Sequence, residues 1–401
     1  MPNERKKLDN PKERRKFLSA ELAQKSLDLA IISNPKHIFY FTGFPSNLNM
    51  YLTLMKGPRA VSFLAIDKNG HSSLLLGRGE TTNMWVKKSD NEKSELERAF
   101  DGSVSTYIDY DPKEKLVSYP DFISKEFEKW FRGLNSGKRV GFEEWHLPDV
   151  FRSSISGLNG LQLTGISRSL LSMRKTKGKD EIENLLRATE MIDSAYKVAQ
   201  NNAEAGKSEI DVYRKMNSRS FEKYGAFGWI IGDHVSGERS LEVGGWATER
   251  KMKTGDTIIL DLQASYNNYW SDLCRTFVAG RKASKKQGKV LDTLIRSLDR
   301  VEEVMKPGVK GKEIYAAANE VITKSGYPEL PHHAGHSIGL DDQEPPWFVA
   351  NSEETLEEGC VCVVEPGIYV ESAGGIRIED GYVVTKSGNE RISKYPRELS
   401  R

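Results

Sequence analysis

Four acidic residues of this chain lie where the surrounding sequence predicts buried β-strands. Asp261 follows the apolar run TIIL, and Asp272 lies eleven residues later on the strand that would return beside it. Glu365 ends the apolar run CVCVV, and Glu379 follows the segment GIRI. Burying a carboxylate is costly unless it is paired, hydrogen-bonded or bound to a metal. The fold must therefore compensate these four carboxylates, which we call the acidic cluster.

Divalent cations are the simplest compensation for the acidic cluster. Apart from Arg377, the predicted strands offer no matching set of buried basic residues, and His336 adds one imidazole in the segment HHAGHSIG. Oxygen ligands with one histidine favour Mn, Co, Fe or Zn in a site without thiolates. Four carboxylates carry enough negative charge for two metal ions about 3.5–4 Å apart.

Composition and charge argue against several other classes of protein. The 401 residues include 59 Lys+Arg and 57 Asp+Glu, and this balance gives no field that would attract nucleic acid or a membrane. Three cysteines are too few for a disulfide framework and fit a reducing compartment. The charged N-terminus lacks the apolar segment of a secretory signal, and no apolar run approaches the length of a membrane span. We expect a cytoplasmic protein.

The first part of the chain has the pattern of an α/β domain. Apolar runs at 28–32, 60–66, 72–77 and 138–143 have the length and bounding residues of strands. Helical segments separate several of these runs, and such alternation is typical of α/β folds. The pattern predicts an N-terminal domain over residues 1–172.

Residues 173–401 have a different pattern of long amphipathic helices and strand pairs. The helices are predicted at about 182–199, 286–305 and 311–325 from apolar residues at helical spacing. Strand pairs are predicted at 256–278, with a turn at Asn267-Asn268, and at 360–384. The order predicts an α+β domain in which helices flank a largely antiparallel sheet.

These segments together resemble the aminopeptidase P and prolidase family. The resemblance lies in ILD, DLCRTF, GHSIGL, VEPGIY and GIRIED, in this order along the chain. The segment NPKHIFYFTGF at 34–44 is similar to the creatinase-type domain that precedes the family's catalytic domain. The resemblance implies an α/β creatinase-type N-terminal domain followed by an α+β "pita-bread" catalytic domain, which methionine aminopeptidase and creatinase share.

The resemblance also implies roles for individual residues. By resemblance, two divalent ions, Mn or Co with Zn or Fe as alternatives, are bound by five ligands: Asp261, Asp272, His336, Glu365 and Glu379. Asp272 and Glu379 would bridge the two ions. Glu365 would accept a proton from the attacking water, and His332 would stabilise the developing oxyanion. Arg377 would hold Glu379 in place or reach the carboxylate of the substrate.

Two histidines that are usual in the family's peptidases are replaced in this chain. The position eleven residues before Gly255 is Gly244, and the position seven residues after His336 is Gln343. A glutamine side chain can donate a hydrogen bond but cannot shuttle a proton. The metal ligands implied by the resemblance are therefore complete, whereas two imidazoles expected around them are missing.

Two other histidines are candidates to replace the missing imidazoles. His234 lies in the segment GDHVSGER, where it would either enter the site or remain a solvated loop residue. His333 is one residue from His332, and on a strand it would point to the opposite face. The sequence alone favours neither as an active-site group.

The leading functional interpretation is hydrolysis of the peptide bond before proline in a small peptide. The family does this through a metal-bridging hydroxide, and its members are often homodimers. One alternative is a non-peptidase metalloenzyme of the same fold, such as a dimethylsulfoniopropionate lyase, although Gln263 stands where that branch is expected to carry an aspartate. The other is a non-catalytic binding protein. A creatinase-like amidinohydrolase is disfavoured because that branch loses the metal ligands.

Overall fold

The computed structural model describes residues 8–44, 61–77, 96, 100–108, 120–134, 137–158, 160–225 and 228–399. The chain divides into two compact units, Leu8–Met173 and the part from Arg174 onwards. Among the described residues, no helix combines the length and apolar character needed to cross a membrane.

The first unit contains a six-stranded mixed sheet with the order β4-β3-β2-β1-β5-β6. The strands are β1 (Leu29–Ile32), β2 (Phe63–Asp67), β3 (Ser72–Gly77), β4 (Ser103–Tyr107), β5 (Arg139–Phe142) and β6 (Gln162–Gly165). The helices are α1 (Pro11–Gln24), α2 (Pro35–Thr42), α3 (Pro120–Gly133), α4 (Asp149–Ser156) and α5 (Ser167–Arg174). The four predicted strands are all present, and the α/β prediction for this part of the chain is confirmed.

The second unit contains three sheets with only antiparallel pairing among the described strands. The strands are β7 (Ile230–Ser236), β8 (Thr257–Tyr266), β9 (Tyr269–Val278), β10 (Gly335–Ser337), β11 (Glu344–Trp347), β12 (Val361–Val364), β13 (Gly367–Val370), β14 (Gly374–Arg377), β15 (Asp380–Val384) and β16 (Asn389–Arg391). The long helices are α6 (Lys179–Gln200), α7 (Glu209–Tyr224), α8 (Lys285–Val304) and α9 (Gly311–Lys324). The sheet orders are β7-β8-β9, β13-β14 and β11-β10-β12-β15-β16.

The β8–β9 hairpin places the first two acidic residues on one face. Asn267 and Asn268 both have positive φ, 47° and 68°, as a two-residue turn of this kind requires. The turn sets a register in which Asp261 lies opposite Cys274 and Gln263 lies opposite Asp272. Because side chains alternate along a strand, Asp261, Gln263 and Asp272 share a face of the hairpin.

The second predicted strand pair is interrupted at both of its glutamates. The chain forms β12 and β13 instead of one strand, and β14 and β15 instead of its partner, with breaks at 365–366 and 378–379. The Glu365 backbone N–H donates to Ala334 O, and the Glu379 N–H donates to Cys274 O. The predicted pairing of the two segments is confirmed, since β12 pairs with β15 and β13 pairs with β14. Each segment is nevertheless interrupted, because the backbone changes its hydrogen-bonding partners at these two residues.

Arg275 is a buried arginine that the sequence interpretation overlooked. It lies on β9 and is fully buried, and its guanidinium donates to Asp380 Oδ1 at 2.7 Å and to Glu379 O at 2.5 Å. It also donates to the carbonyls of Cys274, Tyr395 and Pro396. Arg275 therefore compensates Asp380 rather than the acidic cluster.

Glu344 is a buried carboxylate that two basic residues compensate. Arg174 contacts both Glu344 and Asp341, and the Lys177 ammonium lies 3.1 Å from Glu344 Oε2. Burial by itself raises the pKa of the Glu344 carboxyl, but the charges of Arg174 and Lys177 outweigh burial and hold that pKa below its usual value.

We expect Glu344 to contribute to stability in a pH-dependent way. Its pKa is lower in the folded protein than the ordinary value of about 4.3, so its contribution is fully present above about pH 4.3 and is lost as the pH falls further. The difference in unfolding free energy between wild type and Glu344→Gln should therefore shrink from about pH 6 to about pH 3. Urea unfolding of metal-free protein across this range measures it, and a difference independent of pH would contradict the assignment.

Candidate metal centre

The structure brings together the five residues that the resemblance proposes as metal ligands. His336 lies on β10, and its Nε2 is 4.0 Å from Asp272 Oδ2 and 3.7 Å from Glu365 Oε1. Single ligand atoms of Asp272, His336 and Glu379 all lie within 4.8 Å of one another. Asp261 adjoins this group through its side-chain interaction with Asp272.

Hydrogen bonds orient two of these side chains for ligation. The Nδ1 of His336 lies 3.0 Å from the carbonyl oxygen of Ser337, which leaves Nε2 free to face the carboxylates. The Gln263 amide donates to Asp272 Oδ2 at 2.9 Å across the β8–β9 ladder. Gln263 therefore positions Asp272 and offers its nitrogen, not an oxygen, to the neighbouring carboxylate.

Several buried oxygen atoms of the acidic cluster lack hydrogen-bond partners among the described residues. They are Asp272 Oδ1 and both carboxylate oxygens of Glu379. Burial, with the neighbouring carboxylates, raises the pKa of Asp272 and of Glu379 well above the usual values, and it raises the pKa of Asp261 to about 6. Buried carboxylate oxygens without hydrogen-bond partners are the ligand atoms that divalent cations bind, so these residues fit a metal site.

Arg377 contacts Asp261 rather than its expected partner Glu379. One guanidinium nitrogen, Nη2, lies 2.6 Å from Asp261 Oδ2 and 3.1 Å from Asp233 Oδ2. The other, Nη1, donates to Val243 O at 2.5 Å and to the Tyr369 hydroxyl at 3.0 Å. The expectation that Arg377 holds Glu379 was wrong. The strand is interrupted after β14, and the two side chains therefore contact different neighbours.

His332 lies at the site, but both of its ring nitrogens are engaged. Nδ1 is 2.7 Å from the carbonyl oxygen of His333, and Nε2 is 2.9 Å from the Tyr369 hydroxyl. Since a carbonyl only accepts, Nδ1 carries the hydrogen and Nε2 accepts from Tyr369. A direct contact of His332 with an oxyanion is not supported by this arrangement. Tyr369, which sequence reasoning missed, connects His332 to Arg377.

His333 also lies at the site, contrary to the expectation from the sequence. It precedes β10 and is not part of a strand, so the alternation of side chains along a strand does not apply to it. Its Nε2 is 2.8 Å from Glu365 Oε1. Burial raises the pKa of Glu365, but His333, with smaller effects of His336 and His332, outweighs burial and lowers that pKa to about 2. The sequence signal that could have identified His333 is the pair His332-His333, which lies close to His336 in the chain.

The space beside Gly244 is filled by a carboxylate. The β7–β8 register places Asp233 opposite Asp261, and Asp233 accepts from the Gly245 N–H at 2.8 Å and from Arg377. A Cβ atom on Gly244 would overlap the Asp233 carboxylate. The preceding Val243 has φ of 69°, which is costly for a β-branched residue. Asp233 thus stands where the family's imidazole is expected, and the sequence analysis missed it.

Neither His234 nor Gln343 supplies a substitute imidazole. His234 is fully buried and lies opposite Leu260, on the face of β7 away from Asp233. Burial lowers the pKa of His234 to about 3, so it is a neutral core residue. Gln343 is exposed at the segment before β11. Both alternatives for His234 are therefore wrong, because it lies on a strand and is buried, neither in the site nor in a solvated loop.

The sequence matches known families over both parts of the chain. Residues 183–386 match metallopeptidase family M24, and residues 14–176 match the creatinase/prolidase N-terminal domain. The Xaa-Pro dipeptidase of Pyrococcus furiosus is 28% identical over 97% of this chain and 99% of its own length. That of Pyrococcus horikoshii is 32% identical over 73% of this chain and 83% of its own.

Solved structures agree with the sequence matches. The prolidase of Pyrococcus horikoshii superimposes with a TM-score of 0.77 at 26% identity, covering 96% of this chain and 99% of its own. The X-Pro aminopeptidase of Thermotoga maritima has the same TM-score and coverage at 25% identity. The predicted fold, a creatinase-type domain with a pita-bread catalytic domain, is confirmed, and the family implies divalent metal ions. The chain belongs to metallopeptidase family M24, in its aminopeptidase P and prolidase group.

Proposed function

We propose that this enzyme hydrolyses the peptide bond before proline in small peptides, with two divalent metal ions, Mn or Co, at the acidic cluster. The Xaa-Pro dipeptidase of Pyrococcus furiosus aligns along nearly the whole chain. The observation that carries the proposal is the set of buried carboxylate oxygens of Asp272 and Glu379 without partners among the described residues. Residues 1–172 and 173–401 are the proposed domains, and a cytoplasmic homodimer is proposed on resemblance.

Asp261, Asp272, His336, Glu365 and Glu379 are the proposed ligands. Bound divalent cations polarise a scissile carbonyl and lower the pKa of water. Glu365, ionised and at the edge of the cluster, would accept the proton of the attacking water at its carboxylate and pass it to the proline nitrogen. That nitrogen carries no hydrogen in the peptide, so it must be protonated as it leaves.

Arg377, Tyr369 and His332 form a chain of contacts that would position the reacting groups. Arg377 holds the carboxylate of Asp261 on one side and the hydroxyl of Tyr369 on the other. His332 accepts from that hydroxyl, which fixes its direction. His332 is therefore proposed as a positioning residue that acts through the Tyr369 hydroxyl, 2.9 Å from its Nε2.

A second candidate is a same-fold metalloenzyme that acts on a substrate other than a peptide. The observation that favours it is the carboxylate of Asp233, which lies opposite Asp261, pairs with Arg377 and stands where the family's peptidases have an imidazole. A carboxylate attracts a cationic substrate group, whereas a neutral imidazole would not. Substrate tests separate the two candidates.

Metal-loaded protein is expected to release free proline from Xaa-Pro dipeptides. We would load the purified enzyme with Mn²⁺ or Co²⁺, remove excess metal and assay a small dipeptide panel, with Gly-Xaa peptides lacking proline as substrate controls. Asp261→Ala should lower kcat/KM by at least about 10²-fold, because it removes a ligand and the partner of Arg377. No turnover by protein that holds two metal ions would reject the peptidase and favour the second candidate.

Restoring the family's histidine by Gly244→His alone is expected to fail. The new side chain would overlap the Asp233 carboxylate, and overpacking of this kind costs about 1–3 kcal/mol. We expect lower thermal stability and no gain in kcat/KM, whereas Asp233→Ala/Gly244→His should regain the lost stability. Thermal unfolding and proline release of both variants, with Asp233→Ala as control, measure this. A fully stable, more active Gly244→His variant would contradict the structure.

A further inference from the structure

His333 faces the acidic cluster without making an aligned hydrogen bond. Its Nε2 is buried and lies 2.8 Å from Glu365 Oε1, yet it has no hydrogen bond of acceptable angle with any described residue. The two atoms therefore lie within contact distance of each other without an aligned hydrogen bond between them. Two ligands of one metal ion have this relation, because their lone pairs converge on a third point.

We propose that His333 is a sixth metal ligand, and that His333, His336 and Glu365 together hold one of the two ions. The ligand atoms of these three side chains lie within 4.8 Å of one another. This group shares His336 with the group formed by Asp272, His336 and Glu379, so the two lie side by side. The inference rests on the metal-dependent function proposed above, but it concerns ion binding and not the substrate.

The distances within this group suit a single ion. Nitrogen and oxygen ligands of a divalent ion such as zinc lie about 2.0–2.2 Å from the metal, so two such ligands are separated by roughly 2.8–4.2 Å. The Glu365 Oε1 atom is 2.8 Å from His333 Nε2 and 3.7 Å from His336 Nε2. Both separations fall within that range before any side chain moves.

Aromatic packing holds the two imidazoles in place. The Trp347 ring lies 5.7 Å from the His333 ring and 5.6 Å from the His336 ring, and the two histidine rings are 5.4 Å apart. The His333 carbonyl is bonded by His332 Nδ1, which fixes the backbone beside it. His333 is thus held at the cluster by contacts that leave its Nε2 without a hydrogen bond among the described residues.

Two imidazoles at one position change which metal that position prefers. Imidazole nitrogen suits Zn, Co, Ni and Cu, whereas carboxylate oxygen suits Mn and Mg. A site with His333 and His336 should therefore discriminate more strongly for Co²⁺ or Zn²⁺ over Mn²⁺ than one with His336 alone. The proposed ligands outside this group, Asp261, Asp272 and Glu379, offer only oxygen, so an ion that they hold without His336 should discriminate less.

Co²⁺ titration of metal-free protein tests the proposal without any substrate. Isothermal calorimetry and the visible absorption of Co²⁺ would be recorded for wild type, His333→Ala and His333→Asp, with His71→Ala as the control for loss of an exposed histidine. We expect two ions per wild-type chain. In His333→Ala one of them should bind about tenfold to a hundredfold more weakly, with a changed spectrum, while the other is unaffected. His333→Asp should recover binding and shift preference towards Mn²⁺.

Each outcome decides the proposal. Binding of both ions by His333→Ala within about twofold of wild type would overturn it, since His333 would then only pair with Glu365. Equally weakened binding of both ions in both variants would also overturn it, because a general loss of local structure produces that result. If His333→Ala does not fold, His333→Asp carries the test alone. Two-ion binding that depends on His333, without release of proline, would keep this inference and reject the peptidase.

Discussion

Glu379→Gln is expected to abolish metal-dependent activity while leaving the metal-free protein at least as stable as wild type. Both carboxylate oxygens of Glu379 are buried and have no hydrogen-bond partner in the part of the chain that the structure describes. Without metal a buried carboxylate is a cost, and a neutral amide of the same shape reduces it. With metal the wild type becomes the more stable of the two proteins, because only wild type gains the full free energy of ion binding.

Thermal unfolding with and without metal measures this reversal. At a free metal concentration of 100 times Kd, wild type should gain about 2.7 kcal/mol, and the variant much less. Activity should fall by about 10²–10³-fold or more. Glu371→Gln, an exposed glutamate in the same segment, is the matched control and should change neither quantity. A metal-free Glu379→Gln protein that unfolds at a clearly lower temperature than wild type would contradict a metal role for this carboxylate.

Arg275→Met should lower the free energy of unfolding by about 3–5 kcal/mol, because it leaves a buried carboxylate without its main partner. The Arg275 and Asp380 side chains are both fully buried, and Arg275 also caps the carbonyls of Glu379, Tyr395 and Pro396. Arg397 and Ser393 also contact Asp380, so part of its compensation remains. The loss should nevertheless be among the largest for any single charged residue of this unit.

Urea unfolding of metal-free protein isolates the effect of Arg275 from that of metal binding. The control is Arg300→Met, since Arg300 pairs with Glu303 at 2.8 Å on an exposed helix surface. Such exposed pairs contribute less than about 1 kcal/mol. A loss for Arg275→Met no larger than for the control would mean that Asp380 is satisfied without it. We also expect weaker metal binding, because Arg275 holds the backbone of Glu379.

The β8–β9 hairpin is the part of the site that local sequence determined. The apolar run before Asp261 and the Asn267-Asn268 turn are both local signals, and together they set the register that puts Asp261 and Asp272 on one face. The order of the remaining motifs, through their resemblance to a family, identified His336, Glu365 and Glu379 as candidate partners. The alternation of helices and strands in the first unit could likewise be predicted from short-range patterns.

Contacts that join distant segments were decided only by the tertiary structure. The partner of Arg377 is Asp261 and not its near neighbour Glu379, because the strands break at both glutamates and the backbone changes partners there. Asp233 fills the space beside Gly244 only because β7 pairs with β8 in one register. His333 reaches Glu365 because the segment before β10 is not a strand. Short-range patterns determine which element forms, but the direction of a side chain at a site depends on packing between elements far apart in the sequence.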